Sequence, residues 1–463
     1  MVDWDALRGA IDGEVVLPDS VDYDRRRTPP MVRFGDVRPA AVVRCRTPAD
    51  VAEALAFALG SRLEMAIRGG GHCFAGGSST HGVLVDLGPM DGVSLAGEVA
   101  TVGAGARLGE IYDALAGSGR TIAGGCGATV GIAGLVLGGG LGILGRTYGL
   151  TSDQLLGAEV VLADGRVVRC DRQEHADLFW GLRGAGGTRF GVLTSLELAV
   201  VPPPDATAFE LRWPESATAA IVDAWQAWAP DADDGVAASL LVTAPADPGR
   251  PVDVRVFGAI VGSGSDARST LDGMVARAGI EPISATFEPL PYRQAKRYLA
   301  EHDAGSAAKP DPGHLFAKSE FFSAPVPARS TVTLAEHIRA ARVPGQAREL
   351  DFTPWGGAYN RVRPDATAFP HRTARFLLKH QVVIDAEAAQ TATGAARDWL
   401  ARSWALAHSS GTGGAYANFP DPDLGAWDPA YHGANLDRLL SVKARYDPDD
   451  VFRAPHAAPS TNS

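Results

Sequence analysis

Lysine is scarce: Lys296, Lys309, Lys318, Lys379 and Lys443 are the only five in 463 residues. With abundant alanine, this reads as the coding bias of a GC-rich genome and carries no chemistry. Cysteine is equally sparse, at Cys45, Cys73, Cys126 and Cys170. Four thiols without a CxxC pair or zinc-type spacing to histidine argue against a disulfide scaffold and a structural metal site. Positive charge is in deficit, with 43 Lys+Arg against 54 Asp+Glu, a net −11 and no basic run to offset it. Such a surface repels a phosphate backbone, so nucleic acid is not an expected partner. No stretch approaches the roughly 18 uncharged apolar residues of a membrane span, and the apolar run over 132–144 is interrupted by glycines. The opening MVDWDALRGAIDGEV carries acids where a secretory signal has basic and apolar regions. The expected location is the cytosol, with no membrane partner.

What the chain has in excess is glycine, 54 residues, well above the average of roughly 7%. The glycines crowd into 69–77, 103–109, 124–149 and 184–191. Glycine serves where backbone takes positive φ or approaches a ligand closely, so the first 200 residues look built around a large ligand. Between the clusters, 47–60 reads as a helix capped by Thr47, and 106–119 as a second helix. Residues 158–170 are two alternating runs joined by Asp164-Gly165, a hairpin signal, and 192–201 is a further strand.

Val201 and three prolines, 202–204, mark a boundary. Beyond it, strand 208–213, helix 215–229, strands 236–243 and 252–261, helix 265–278 and strand 283–288 follow in order. Strands 315–322, 348–362 and 374–384, then helix 386–407, complete an expected antiparallel sheet backed by helices. A glycine-rich joint at 411–414 leads to a final helix at 433–446. The fold class is α+β.

The chemistry-bearing segment is IRGGGHCFAGGSSTHGVLVDLGPM, 67–90. A strand ending at Arg68 meets Gly69, Gly70, Gly71 and His72, then Gly76, Gly77 and Ser78. Consecutive bare amides form an anion-binding nest, beside which Arg68 adds charge. No GKS or GKT follows, and the loop is not a GxGxxG dinucleotide turn. A lone glycine loop is usually a structural turn, but two more follow. GGCGATVGIAGLVLGGGLGILGRTYGLTSD at 124–153 sets Cys126 between Gly125 and Gly127 and adds Val130, Gly131, Gly134, Gly139, Gly140 and Gly142. LFWGLRGAGGTRFGVLT at 178–194 contributes Val192. Cys73 and His81 flank the first loop as structural residues.

In these motifs the chain resembles the PCMH-type FAD-binding domain of berberine bridge enzyme-like oxidases, in the vanillyl-alcohol oxidase superfamily. Tyr416-Ala-Asn418-Phe-Pro-Asp421 and the YDPDDVF run at 446–452 are similar to that family's C-terminal signature, and AFPHR at 368–372 to a motif of its substrate domain. The resemblance covers nearly the whole chain in the right order. It implies a two-subdomain FAD-binding domain from 1–203 completed by 411–463, around a substrate-binding domain at 204–410. It further implies FAD attached twice, through His72 to the 8α methyl and through Cys126 to C6. The glycines named above, with Arg68, Ser78, Val130, Val192 and Asn418, would line the cofactor, and no metal is implied.

The resemblance makes Tyr416 the catalytic base, while the second tyrosine common in that motif is Phe419 here. Some relatives use a carboxylate base in the substrate domain, and none is placed by the sequence. Trp355–Arg361 is expected on a sheet strand facing the flavin, making Tyr359 and Arg361 substrate candidates, with Glu320 and Tyr148 weaker ones. The implied reaction passes a hydride from a small-molecule C–H to flavin N5, and O2 reoxidises the flavin to give H2O2, as a tailoring step on a natural product or its sugar. Simple alcohol oxidation and oxidative ring closure both remain open, as does an inactive flavin- or metabolite-binding protein.

Overall fold

The computed structural model describes residues 2–262, 267–302, 313–425 and 427–453. Three sheets follow one another along the chain. The first holds β1 (Glu14–Val16), β2 (Ala41–Arg44), β3 (Met65–Arg68) and β4 (Val83–Asp86) in the order β1-β2-β4-β3. β4 runs parallel to both β2 and β3, and β1 is antiparallel. The helix Pro48–Gly60 makes the β2-to-β3 crossover. Thr47 and Asp50 form a capping box at its start, with Pro48 in the first turn, where a missing N–H costs nothing. β3 ends at Arg68, so the chain leaves the sheet at Gly69 and returns at Val83.

The second sheet holds β5 (Val93–Ala96), β6 (Val99–Gly103), β7 (Leu155–Val161), β8 (Val167–Asp171) and β9 (Val192–Ala199) in the order β5-β6-β9-β7-β8. It is antiparallel throughout. The β7–β8 turn uses Gly165 at φ +82. One apolar core joins both sheets and takes in Leu439, Val442 and Tyr446 of the helix Leu436–Tyr446.

The third sheet follows the three prolines: β10 (Asp205–Trp213), β11 (Val236–Ala244), β12 (Asp253–Val261), β13 (Ser284–Pro291), β14 (His314–Phe322), β15 (Gln346–Pro354) and β16 (Phe376–Ile384). All its pairings are antiparallel, in the order β13-β10-β12-β11-β15-β16-β14. Alternation splits its side chains between two faces. Phe209, Leu240, Val256, Leu350, Phe352 and Leu378 point to one core, shared with the helices Thr218–Trp228, Ala267–Ala278, Ala328–Arg339 and Ala389–His408. The opposite face looks toward the glycine loops and carries the helix Tyr292–His302, whose Tyr292 and Leu299 pack on Ala259.

One expected strand is cut short. The run 348–362 extends only through Pro354, because Gly356 and Gly357 turn the chain at φ +104 and +57. A single helical turn, Ala358–Arg361, follows. Two helices, Tyr292–His302 and Ala328–Arg339, stand where sequence periodicity suggested none. Among the described residues no helix is long and apolar enough to cross a membrane.

Candidate functional site

A cavity of about 490 Å³ opens between the glycine loops and the segment 416–420, a size typical of small-molecule sites. Its wall includes Gly69, Gly70, Gly71, His72, Gly77 and Ser78 from the β3–β4 loop. Gly125, Gly127, Val130, Gly131 and Gly134 come from the second loop, and Tyr416, Asn418 and Phe419 from the C-terminal segment. The two loops touch backbone to backbone, so a Cβ at Gly131 would collide with the Gly70 amide, and one at Gly70 with Gly131. Gly134 differs: a Cβ there meets nothing, because that position faces the open cavity. This wall of bare amides fits a cofactor presenting phosphate and a flat ring.

His72 Nε2 lies 3.1 Å from Thr129 Oγ1, and the Thr129 backbone also bonds the ring. Burial, then the Arg107 charge, pull the imidazole down to about 4. It is therefore neutral at pH 7, the form that acts as a nucleophile. Cys126 sits between two wall glycines, and its side chain also packs toward Ile143, Leu144 and Tyr292. Cys73 accepts from Gly77 N at 3.3 Å and serves the loop.

Several expected cofactor residues stand behind the wall. Arg68, 6% exposed, donates to Ser78 O, Arg26 O and Ser79 Oγ. It clamps the loop and borders a second, polar cavity of about 220 Å³. Gly76 packs on the Phe34 ring, and Val192 is buried at the start of β9 while Leu193 reaches the wall. Gly139 and Gly140 take φ +114 and +86 in a turn that aims Gly140 N–H at Tyr416. Gly142 lies against the Gly124 carbonyl and exchanges bonds with the Tyr359 hydroxyl.

Tyr416 is 1% exposed. Its oxygen accepts from Gly140 N at 3.0 Å and from Asn418 Nδ2 at 3.2 Å. Burial raises the phenol above its ordinary value, while these donors pull it back. Asn418 is itself anchored on Leu135 O at 2.9 Å. Among the described residues no acceptor takes the Tyr416 proton.

The substrate candidates separate. Tyr359 is buried, stacked on Trp355 in the cluster that holds Tyr416, but it sits on the helical turn rather than on a strand. Arg361 points to the surface and pairs with Asp234 at 2.6 Å. Glu320 pairs in register with Leu378 on the helix-backed face. There it accepts from Trp404 Nε1 and Gly413 N and bonds His408 Nδ1, so it anchors the glycine joint and faces away from the cavity. Tyr148 packs beside Cys126, Ile143 and Leu144.

Sequence reasoning missed a polar set on the loop-facing side of the third sheet. With Leu350, Phe352 and Leu378 turned to the helices, alternation turns Glu349, Asp351, Lys379 and Gln381 the other way. Lys379 Nζ lies 3.0 Å from Asp351 and 3.9 Å from Glu349. It stands 5.2 Å from the ring of Phe419, a cavity-wall residue. The parity of β15 held this signal, once its core-facing residues were known. The AFPHR motif forms the seam: Arg372, 1% exposed, makes a bidentate pair with Asp153 at 2.7 and 2.8 Å.

Comparison with known proteins agrees with this geometry. The FAD binding domain family matches residues 39–171, and the berberine and berberine-like family matches 415–459. An uncharacterised FAD-linked oxidoreductase, YgaK of Bacillus subtilis (strain 168), is 30% identical over 97% of this chain and 97% of its own. The chitooligosaccharide oxidase of Gibberella zeae is 30% identical over 90% of this chain and 87% of its own. Among solved structures, the glucooligosaccharide oxidase of Acremonium strictum, described with a 6-S-cysteinyl, 8α-N1-histidyl FAD, superposes with a TM-score of 0.85 at 26% identity, covering 97% of this chain and 98% of that one. The fold and its wall of glycine amides are those of an FAD-linked oxidoreductase. The chain belongs to the berberine bridge enzyme-like family.

Proposed function

We propose that the protein is an oxidase with FAD linked to both His72 and Cys126, acting on a hydroxyl-bearing sugar or glycosylated natural product. The observation that carries this reading is the convergence of His72, the Cys126 loop and Tyr416 on one cavity, from three distant parts of the sequence. Residues 1–203 and 411–463 hold the cofactor, and 204–410 presents the substrate face. Bound FAD would supply the redox chemistry of a hydride acceptor that O2 reoxidises with release of H2O2.

The chain's own residues supply position and proton transfer. The neutral His72 ring, on the wall, and the Cys126 sulfur, carried between the wall glycines Gly125 and Gly127, are the two nucleophiles assigned to the cofactor. Tyr416 takes the substrate proton, and the Gly140 and Asn418 donors stabilise its oxygen as negative charge develops. Glu349, Asp351, Lys379 and Gln381 offer donors and acceptors to a polyhydroxylated substrate, in keeping with the two oligosaccharide oxidases among the similar proteins. The test is H2O2 release by the holoprotein with chito- and glucooligosaccharides and with aryl alcohols. Release with a sugar supports the reading, and silence across the set contradicts it.

A further inference from the structure

Lys296 is only 3% exposed. It stands on the helix Tyr292–His302, where Tyr292, Lys296 and Leu299 share one face by their spacing. Tyr292 and Leu299 pack in the cluster that includes Ile143, Leu144 and Cys126. The Lys296 ammonium donates to Gly124 O at 2.6 Å, Gly125 O at 3.1 Å and Tyr112 Oη at 2.6 Å. It also lies 3.9 Å from the Tyr112 ring centroid. Every one of these partners is neutral. Among the described residues no carboxylate reaches Nζ, and Asp113, one residue after Tyr112, is taken by Arg293.

A buried cation without a counter-ion is costly. Burial pushes the Lys296 amine down to about 7, and Cys126 is the charge that pulls it back. The two carbonyls it grips belong to the residues immediately before Cys126. The site is short of one negative charge, and the ionisable group on the clamped loop is that thiol.

We propose that Lys296 is the positioning residue for the second attachment of FAD, fixing the Cys126 loop by its carbonyls and supplying the counter-charge of the Cys126 thiolate. This rests on the reading of Cys126 as an attachment point. The Cys126 thiol gives its proton to water, the Lys296 ammonium holds the thiolate that remains, and the sulfur bonds to C6 of the ring. The C6 hydrogen leaves as a proton, and the electron pair left on the ring passes to O2, the co-substrate of the oxidase reaction, which leaves as H2O2. Linkage at His72, on the other loop, needs none of this.

The wild-type chain, K296M, K296Q and K296R are each purified as holoprotein and digested, and the His72 and Cys126 peptides are weighed for FAD. We expect K296M to keep FAD on His72 and lose it from Cys126 about tenfold or more, the fall in thiolate that a one-unit rise in thiol pKa causes at neutral pH. K296R, which keeps the charge, retains most of the link. Methionine suits an apolar cluster better than arginine, so a mere packing role would reverse the order of these two variants and overturn the proposal. K296Q keeps an amide donor to the carbonyls without the charge, so a wild-type level of linkage in either K296Q or K296M also overturns it. A wild-type Cys126 peptide free of FAD would instead overturn the attachment reading beneath it.

Discussion

The glycine-loop half and the third-sheet half meet across one cavity, and they are built on opposite terms. In the first, function lies in backbone: loops touch at Gly70 and Gly131 and leave Gly134 open to the cavity, and side chains do little except at His72 and Cys126. In the second, function lies in parity, because neighbours along one strand serve different masters. Leu350 and Phe352 join the helices, while Glu349 and Asp351 face the loops. A wall of bare amides writes itself into composition and motif order, whereas a polar set placed by strand alternation does not.

The sharpest way to break this contrast is at Tyr416, the proposed proton acceptor between the two halves. Tyr416→Phe is expected to lower kcat by about 10²- to 10⁴-fold with the FAD content unchanged, measured by H2O2 release and absorbance. A fully active variant would move the base to the sheet. The seam comes next. Arg372→Leu leaves the Asp153 carboxylate buried and unpaired, and should destabilise by about 3–5 kcal/mol in denaturant unfolding.

A smaller effect separates the halves by pH. His380 and His371, both in the sheet half, are held by burial down to about 3 and about 4. Their folded values lie below the ordinary one near 6.5, so the unfolded chain binds more protons between these limits. Stability is thus full above about pH 6.5 and falls as the pH drops toward 4. His380→Gln should flatten the fall in Tm between pH 7 and 4.5. An unchanged slope would assign the acid sensitivity elsewhere. The least effect is expected at Arg361, whose pair with Asp234 is solvent-exposed. Arg361→Ala should cost no more than about 1 kcal/mol and leave KM unchanged. A raised KM would bring Arg361 back to the substrate.

Much of the first half was legible before the structure. Thr47 capped its helix, Asp164-Gly165 turned its hairpin and β3 ended at Arg68, because caps, turns and strand ends are local chemistry. The sheet half was legible as a strand order and little more. Tyr359 was assigned to a strand because the hydrophobic pattern runs on past Pro354, and only the positive φ of Gly356 and Gly357 ends it. Glu320 was assigned to the substrate because its strand was visible but the side it faces was not. Lys296 passed unnoticed for a related reason: its partners are carbonyls of a loop about 170 residues earlier, which no local pattern announces.

The central claim is that one cofactor is gripped from both loops. The most direct test is an absorption spectrum of the purified protein before and after acid precipitation, followed by mass spectrometry of the His72 and Cys126 peptides. The account predicts a yellow pellet and a single FAD mass joined to both peptides. A colourless pellet, with the flavin released into the supernatant and both peptides unmodified, would contradict it.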